Sequence, residues 1–198
     1  GAIVLGTLLG VILGVSSGYW GGVLDLSVQR VMDVLMAFPT LLLALTIVAV
    51  LGGSVVNVLI AIGIVMTPQV ARVVRGSVLS IKEAQYIEAS RAIGASDGRI
   101  VGLHVIPNVA APVIIVATAG LARAIITEAS LSFLGMGAPP PTPSWGADLS
   151  GLGRTYFEQA PWAAVFPGLA ISIATLGINL LGDALRDVWD PRLRTGLR

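Results

Sequence analysis

The chain has 198 residues, of which 55% are hydrophobic and 12% are charged, whereas soluble domains carry roughly 25% charged residues. This composition argues against a soluble domain, and a net charge of +1 excludes a general electrostatic attraction to nucleic acid. The lack of cysteine excludes disulfides, thiolate metal sites and cysteine nucleophiles. A mean hydropathy of +0.89 with 24 glycines is typical of helices that pack within a membrane.

Five segments are apolar and long enough, or nearly so, to cross a bilayer, which takes about 20 residues. Only three residues, Gly52, Gly53 and Ser54, separate the second segment from the third, which predicts a tight helical hairpin. The predicted fold is all-α, a polytopic transmembrane bundle that forms one domain over residues 1–198. The five predicted spans are 1–17, 36–52, 54–71, 108–134 and 164–186.

Glycines recur at every fourth position along the first segment and just beyond it. This spacing places them on one slowly turning face of a helix, where a neighbouring backbone can approach closely. We interpret this face as a static packing surface rather than a sliding one. The glycines are Gly6, Gly10, Gly14, Gly18 and Gly22.

Basic residues are distributed unevenly between the loops. If residues 72–107 are cytoplasmic, ten Lys and Arg side chains lie on that side of the membrane, and only Arg154 lies on the other. Cytoplasmic loops of membrane proteins carry an excess of Lys and Arg, so this orientation satisfies the positive-inside rule. The sequence therefore predicts a multi-pass membrane protein with a cytoplasmic C-terminus.

Residues 72–107 are the least apolar part of the chain, and their punctuation predicts two short helices. Ser80 and Glu83 have the spacing of a capping box, which predicts that the first helix begins there. Gly94 suits the left-handed residue that ends a helix.

The second helix is predicted to begin at Ser96 and Asp97, which can cap it and complement its dipole, and to end at Pro107. A helix, a turn and a helix would also fit a DNA-binding motif. The short segment is tethered to the bilayer at both ends and carries acidic residues among its bases, which argues against that function.

The same segment resembles the EAA signature of bacterial ABC importer permeases, in which Glu-Ala-Ala is followed at set distances by Gly and by Leu-Pro. Glu88, Ala89, Gly94 and Pro107 fall in register with that signature, while Ser90 replaces its third Ala. Further strings resemble the dipeptide/oligopeptide/nickel branch of this family, so that the resemblance covers nearly all of the chain. They are DVL at 33–35, EASRAIGASD at 88–97, EASLSFLG at 128–135, PPTPSWG at 140–146 and NLLGDALRDVWD at 179–190.

This resemblance implies a permease subunit of an ATP-driven importer in the bacterial inner membrane, with no catalytic chemistry and no cofactor of its own. The implied partners are a homologous permease, two cytoplasmic ATPase subunits that bind the ATP, an extracellular or periplasmic solute-binding protein, and membrane lipid. A sixth span with its extracellular loop is expected before the first segment. Peptides are the implied solute, and nickel or another small solute is the alternative. The implied ATPase-coupling residues are Glu88, Ala89, Ser90, Arg91, Gly94, Asp97 and Pro107.

Four polar residues are candidates for the translocation pathway or for a contact between subunits: Asn57, Arg123, Glu128 and Asn179. A charge within a span is costly and usually faces a bundle interior or a water-filled cavity. Arg123 and Glu128 are five residues apart, about 140° around a helix, so they are not expected to pair with each other. For both, pairing with a partner permease is favoured over contact with the solute.

Other classes of function find little support. No Gly-rich loop precedes Lys82, so no nucleotide site is predicted, and His104 has no Cys or second His with which to bind zinc. The expected topology separates His104 from Ser130 and Ser132, which argues against a serine protease. A secondary transporter or channel also fits the hydropathy, but the expected pair of interrupted helices is not apparent. A membrane enzyme is the third choice.

Overall fold

A computed structural model describes residues 1–151 and 158–189, and within these residues it contains helices and no strands. Arg154, Arg192, Arg194 and Arg198, which contributed to the predicted charge asymmetry, lie outside the described residues. The helices are α1 (Ala2–Trp20), α2 (Gly22–Ala37), α3 (Thr40–Leu51), α4 (Val55–Lys82), α5 (Gln85–Ala92), α6 (Asp97–Ile100), a π-helical turn (Val101–Val105), α7 (Ile106–Phe133), α8 (Trp145–Ser150) and α9 (Trp162–Trp189).

Four helices of the described part are long and apolar enough to cross a membrane. They are α1, α4, the continuous helix formed by α6, the π-helical turn and α7, and α9. α9 contains the whole span predicted at 164–186, and α1, α4 and α7 contain all but one residue of each of the spans predicted at 1–17, 54–71 and 108–134. The all-α membrane fold is therefore confirmed.

The predicted span 36–52 is not a single helix, because the chain bends by 97° between α2 and α3. Phe38 precedes a proline and is extended (φ −90°, ψ 140°), as the clash with the proline ring requires. α3 then begins at Thr40 and has only 12 residues. The pair α2 and α3 counts as a fifth span only when its two helices are taken together.

α1 and α4 run parallel and approach each other through the predicted glycine face. A Cβ atom built on Gly10 would lie 2.5 Å from Val70 Cβ, and one built on Gly14 would lie 2.6 Å from the Ala71 carbonyl oxygen. Parallel packing agrees with the predicted topology, in which these two spans cross the membrane in the same sense. Gly22 does not belong to this face, because α1 ends at Trp20 and Gly22 begins α2 with φ +60°.

Two ends of the bundle are distinguished by their loops. At the hairpin end, the turn between α3 and α4 lies beside the segment after α7, and a Cβ on Gly53 would be 3.2 Å from the Gly137 oxygen. At the loop end, α5 and α6 pack beside the end of α1. One buried cluster lies toward each end: Val58, Ile62 and Leu131 belong to the first, and Val78 and Ile100 to the second.

The predicted boundaries within residues 72–107 require two corrections. Ser80 lies inside α4, which continues to Lys82, so the predicted capping box is wrong, and the next helix begins only at Gln85. Pro107 does not end a helix, because it lies in the first turn of α7 and the helix continues to Phe133. The π-helical turn Val101–Val105 lies directly before α7. Such a wider turn accompanies a change in the hydrogen-bond ladder of a helix.

We predict that Gly14→Ala lowers the free energy of unfolding by about 1–3 kcal/mol, the usual cost of overpacking, because its methyl group would overlap the α4 backbone. Gly76→Ala is the matched control, since a Cβ at this helical glycine meets no atom within 4 Å. Thermal unfolding of the protein in detergent measures both. Equal stability of the two variants would contradict the close packing of α1 on α4.

Candidate functional site

α5 carries the EAA signature and is anchored by one side chain. Ile87 is its only buried residue, and it belongs to the same apolar cluster as Val78 and Ile100. Glu88 and Ala89 are exposed on the surface of this helix. The sequence therefore gives α5 a single apolar anchor and leaves the signature residues accessible to another molecule.

The turn after α5 depends on Gly94, which has φ +84° as predicted for a left-handed residue. Its N–H donates to the Arg91 carbonyl at 2.9 Å, and the Ala95 N–H donates to the Ser90 carbonyl at 3.0 Å. Glycine adopts this conformation without the steric cost that a Cβ imposes. The turn leaves Ile93 86% exposed, which makes it the most exposed large apolar side chain among the described residues.

Three elements meet at Tyr19, the penultimate residue of α1. Its hydroxyl donates to Asp97 Oδ1 at 2.7 Å, and its carbonyl accepts a hydrogen bond from Lys82 Nζ at 2.7 Å. The Arg91 guanidinium lies 5.6 Å from the centre of the Tyr19 ring. Its interaction with the Tyr19 hydroxyl is the main reason that the pKa of Arg91 lies above its ordinary value. Tyr19 thus fixes α5 and α6 to α1 and α4.

Most of the predicted coupling residues lie close together. Five of them form one helix and its turn, and Asp97 joins them through Tyr19. Pro107 stands apart, ten residues along the next helix, or about 15 Å at 1.5 Å per residue. A groove of about 470 Å³ borders the turn and is lined by Ser90, Ile93, Gly94, Ala95, Arg99, Leu103 and His104.

Arg123 and Glu128 do not pair with each other, as the sequence predicted. Arg123 Nη1 donates to Gln69 Oε1 on α4 at 2.5 Å. Glu128 Oε1 accepts hydrogen bonds from Ser132 at 2.7 Å and from Ser144 at 3.0 Å. Glu128 therefore connects α7 to the start of α8, whereas Arg123 connects α7 to α4.

The two asparagines have different surroundings. Asn57 Nδ2 donates to the carbonyl oxygens of Leu51 and Gly52, so this side chain holds the turn between α3 and α4. Asn179 is exposed on α9. Sequence reasoning placed both in one class, although only Asn57 has bonds that give it a structural role in the turn.

Two ion pairs that join α2 to α4 were missed by the sequence reasoning. The Arg75 guanidinium donates to both carboxylate oxygens of Asp25 at 2.6 Å, and Arg72 donates to Asp33 at 2.8 Å. The two acids are eight residues apart on α2, and the two arginines are three residues apart on α4. The acids therefore lie on one face of α2, and the arginines lie on one face of α4. That spacing was the available sequence signal for the two ion pairs, but it did not indicate which residues pair with each other. Gln69 was recognisable as a polar residue within a predicted span, which could line a polar path or bond to another helix, whereas Tyr19 carried no comparable signal.

Comparison with known proteins identifies the family. The family model for the binding-protein-dependent transport system inner membrane component matches residues 6–195 of this chain. The chain belongs to this family. The resemblance deduced from the EAA signature is thereby confirmed, and the protein is a multi-pass membrane permease by family.

Named relatives extend over nearly the whole chain. The dipeptide transport system permease protein DppC of Alkalihalophilus pseudofirmus is 45% identical over 195 residues, which make up 98% of this chain and 62% of that protein. The glutathione transport system permease protein GsiD of Pectobacterium atrosepticum is 43% identical over 194 residues, 98% of this chain and 64% of that protein. The chain thus spans less than two thirds of the length of these relatives.

The fold is also similar to a solved structure. An inward-facing structure of the MetNI methionine ABC transporter superposes with a TM-score of 0.72 at 19% identity. The match covers 94% of this chain and 88% of that one. At this identity the likeness establishes the fold of the permease and nothing about its solute.

We predict that Tyr19→Phe loosens residues 85–97, because it removes the hydroxyl that donates to Asp97. A hydrogen bond to a charged group contributes about 1.5–3 kcal/mol, so amide hydrogen exchange in this segment should become at least about tenfold faster. Tyr86→Phe is the control, since that ring contacts His104 and its hydroxyl has no partner within the described residues. Unchanged exchange in Tyr19→Phe would contradict the anchoring role of Tyr19.

Proposed function

We propose that this chain is the greater part of a permease subunit that forms half of the translocation pathway of an ATP-driven peptide importer. Membership of the inner-membrane transport family supports the transport role, and relatives named for dipeptide and glutathione transport support peptides as the solute. The subunit has no catalytic site in this proposal, and the partner ATPases bind the ATP. The remaining partners are a homologous permease and an extracellular or periplasmic solute-binding protein.

The observation that carries this proposal is the construction of α5. Its outer side is exposed, with Glu88 available to a cationic partner, and Ile93 in the turn after α5 is available to an apolar one. Its inner side is fixed by the fully buried Ile87, and Asp97 is held through Tyr19. A rigid exposed helix with these anchors suits a lever that transmits the closure of an ATPase to α1 and α4.

The lever requires the loop end to be cytoplasmic and the C-terminus to lie on the same side. The positive-inside count supports this orientation, because five of the ten basic residues assigned to that side lie within residues 72–107. The inner membrane of a bacterium is the location that follows from the family.

We predict that Gly94→Val uncouples ATP hydrolysis from uptake, because a β-branched residue at φ +84° is strained and the turn after α5 must change. The full-length subunit, assembled with its partners in proteoliposomes, should lose at least about tenfold in dipeptide uptake per ATP hydrolysed. Gly98→Val is the control, since a Cβ at Gly98 meets no atom within 4 Å and its φ is not left-handed. Wild-type coupling in Gly94→Val would refute the lever.

A second prediction tests the orientation, and the absence of native cysteine simplifies it. Gln85→Cys on α5 should react with a membrane-impermeant maleimide only after the cells are opened. Glu158→Cys, exposed before α9 and expected outside, should react in intact cells. Labelling of Gln85→Cys from the outside of intact cells would overturn the topology.

A further inference from the structure

Two cavities adjoin at the break between α2 and α3. They have volumes of about 60 and 300 Å³, and the same four residues line both: Thr40, Val65, Gln69 and Arg123. The larger cavity is at the lower limit of the size that small-molecule sites have. Beside the break at Phe38 there is thus a space between α3, α4 and α7, whose shared lining includes the polar side chains of Thr40, Gln69 and Arg123.

This space lies near the middle of the bundle. Arg123 is ten residues from the end of α7 at the hairpin end, and Gln69 is 14 residues from the start of α4 at that end. At 1.5 Å per residue these distances are roughly 15 and 21 Å. A hydrocarbon core is about 30 Å thick, so that both side chains lie within its depth, with Gln69 nearer the loop end.

Within the described residues, no acidic side chain compensates the charge of Arg123. Its described bond is the one to the neutral Gln69, and no acidic oxygen of residues 1–151 and 158–189 lies within 4 Å of its guanidinium. A guanidinium has five N–H donors, so Arg123 retains donors for another acceptor. A charge at this depth faces water or a polar group, because exposure to hydrocarbon is costly.

The start of α3 adds to the positive potential. Thr40 is the first residue of α3 and lines both cavities, and no side chain caps this helix. The first N–H groups of a helix carry a partial positive charge that favours an anion. Arg123 and the start of α3 therefore act on the same space, with Gln69 as a neutral neighbour.

We propose that Arg123, with Gln69 and Thr40, binds a carboxylate of the peptide as it passes through the permease. A carboxylate matches the planar fork of a guanidinium in shape and charge. This inference rests on the proposed import of peptides, which as free acids carry a C-terminal carboxylate. The sequence alone favoured a contact with a partner permease, whose carboxylate is the other source of the same chemistry, but the cavity at this arginine favours the solute.

The test compares two probes, the dipeptide Ala-Ala and its C-terminal amide. Uptake into proteoliposomes is measured for the complete transporter with full-length subunits. Comparison of each variant with the wild type removes the selectivity of the binding protein, which the permease variants do not alter. Arg123→Gln should lower the uptake efficiency of Ala-Ala at least about tenfold, as expected when a hydrogen bond between charged groups is lost, and that of the amide less than about twofold. Arg123→Lys, which keeps the charge, should retain most of the wild-type ratio between the uptake efficiency of Ala-Ala and that of the amide.

Gln69→Glu provides an independent variant, because a carboxylate at position 69 would pair permanently with Arg123. It should lower the uptake of Ala-Ala more than that of the amide, and it decides the question if Arg123→Gln does not assemble. An equal loss for both probes would assign Arg123 to a contact within or between subunits and overturn the carboxylate site, as would wild-type uptake of both. If the wild-type transporter takes up neither probe, the proposed import of peptides fails, and the carboxylate site falls with it.

Discussion

The close parallel packing of α1 on α4 is the constraint on which the rest of the structure depends. Within a bilayer, apolar side chains gain little by leaving lipid for protein, so helix association relies on van der Waals contact and small residues. The glycine face of α1 meets this condition, since Gly10 and Gly14 leave room for only the α4 backbone and its first side-chain atoms. The same contact brings the end of α1 to Lys82 and Asp97 and so fixes the loop end.

α4 connects the two features to which we assign function. At the loop end it supplies Val78 to the cluster that buries Ile87 of α5, and near its middle it supplies Gln69 to the cavity beside Arg123. A force applied to α5 by a partner would act on the helix that also borders the cavity. The Arg75 and Arg72 ion pairs extend this connection to α2, which leads to the break at Phe38.

Particular elements show where local patterns were sufficient. Gly94 was predictable because the left-handed conformation has a strong residue preference, and the hairpin at Gly52–Ser54 was predictable because so few residues separate two apolar segments. The capping box predicted at Ser80 is wrong because α4 continues beyond it, with the partly buried Ile81 packed against the cluster that contains Val78. Such tertiary packing outweighs a cap of about 1 kcal/mol. The prediction that a helix ends at Pro107 is wrong because a π-helical turn precedes this proline, which lies in the first turn of α7.

The sequence by itself determined the membrane class, most of the spans, the glycine face and the family signature, because each depends on composition or on spacing within one segment. Only the tertiary structure decided which side chains meet across segments. Tyr19 and Asp97 are 78 residues apart, and Arg123 and Gln69 are 54 residues apart. No local periodicity encodes such pairs, because the partner of a polar side chain is set by the way in which whole helices pack against one another.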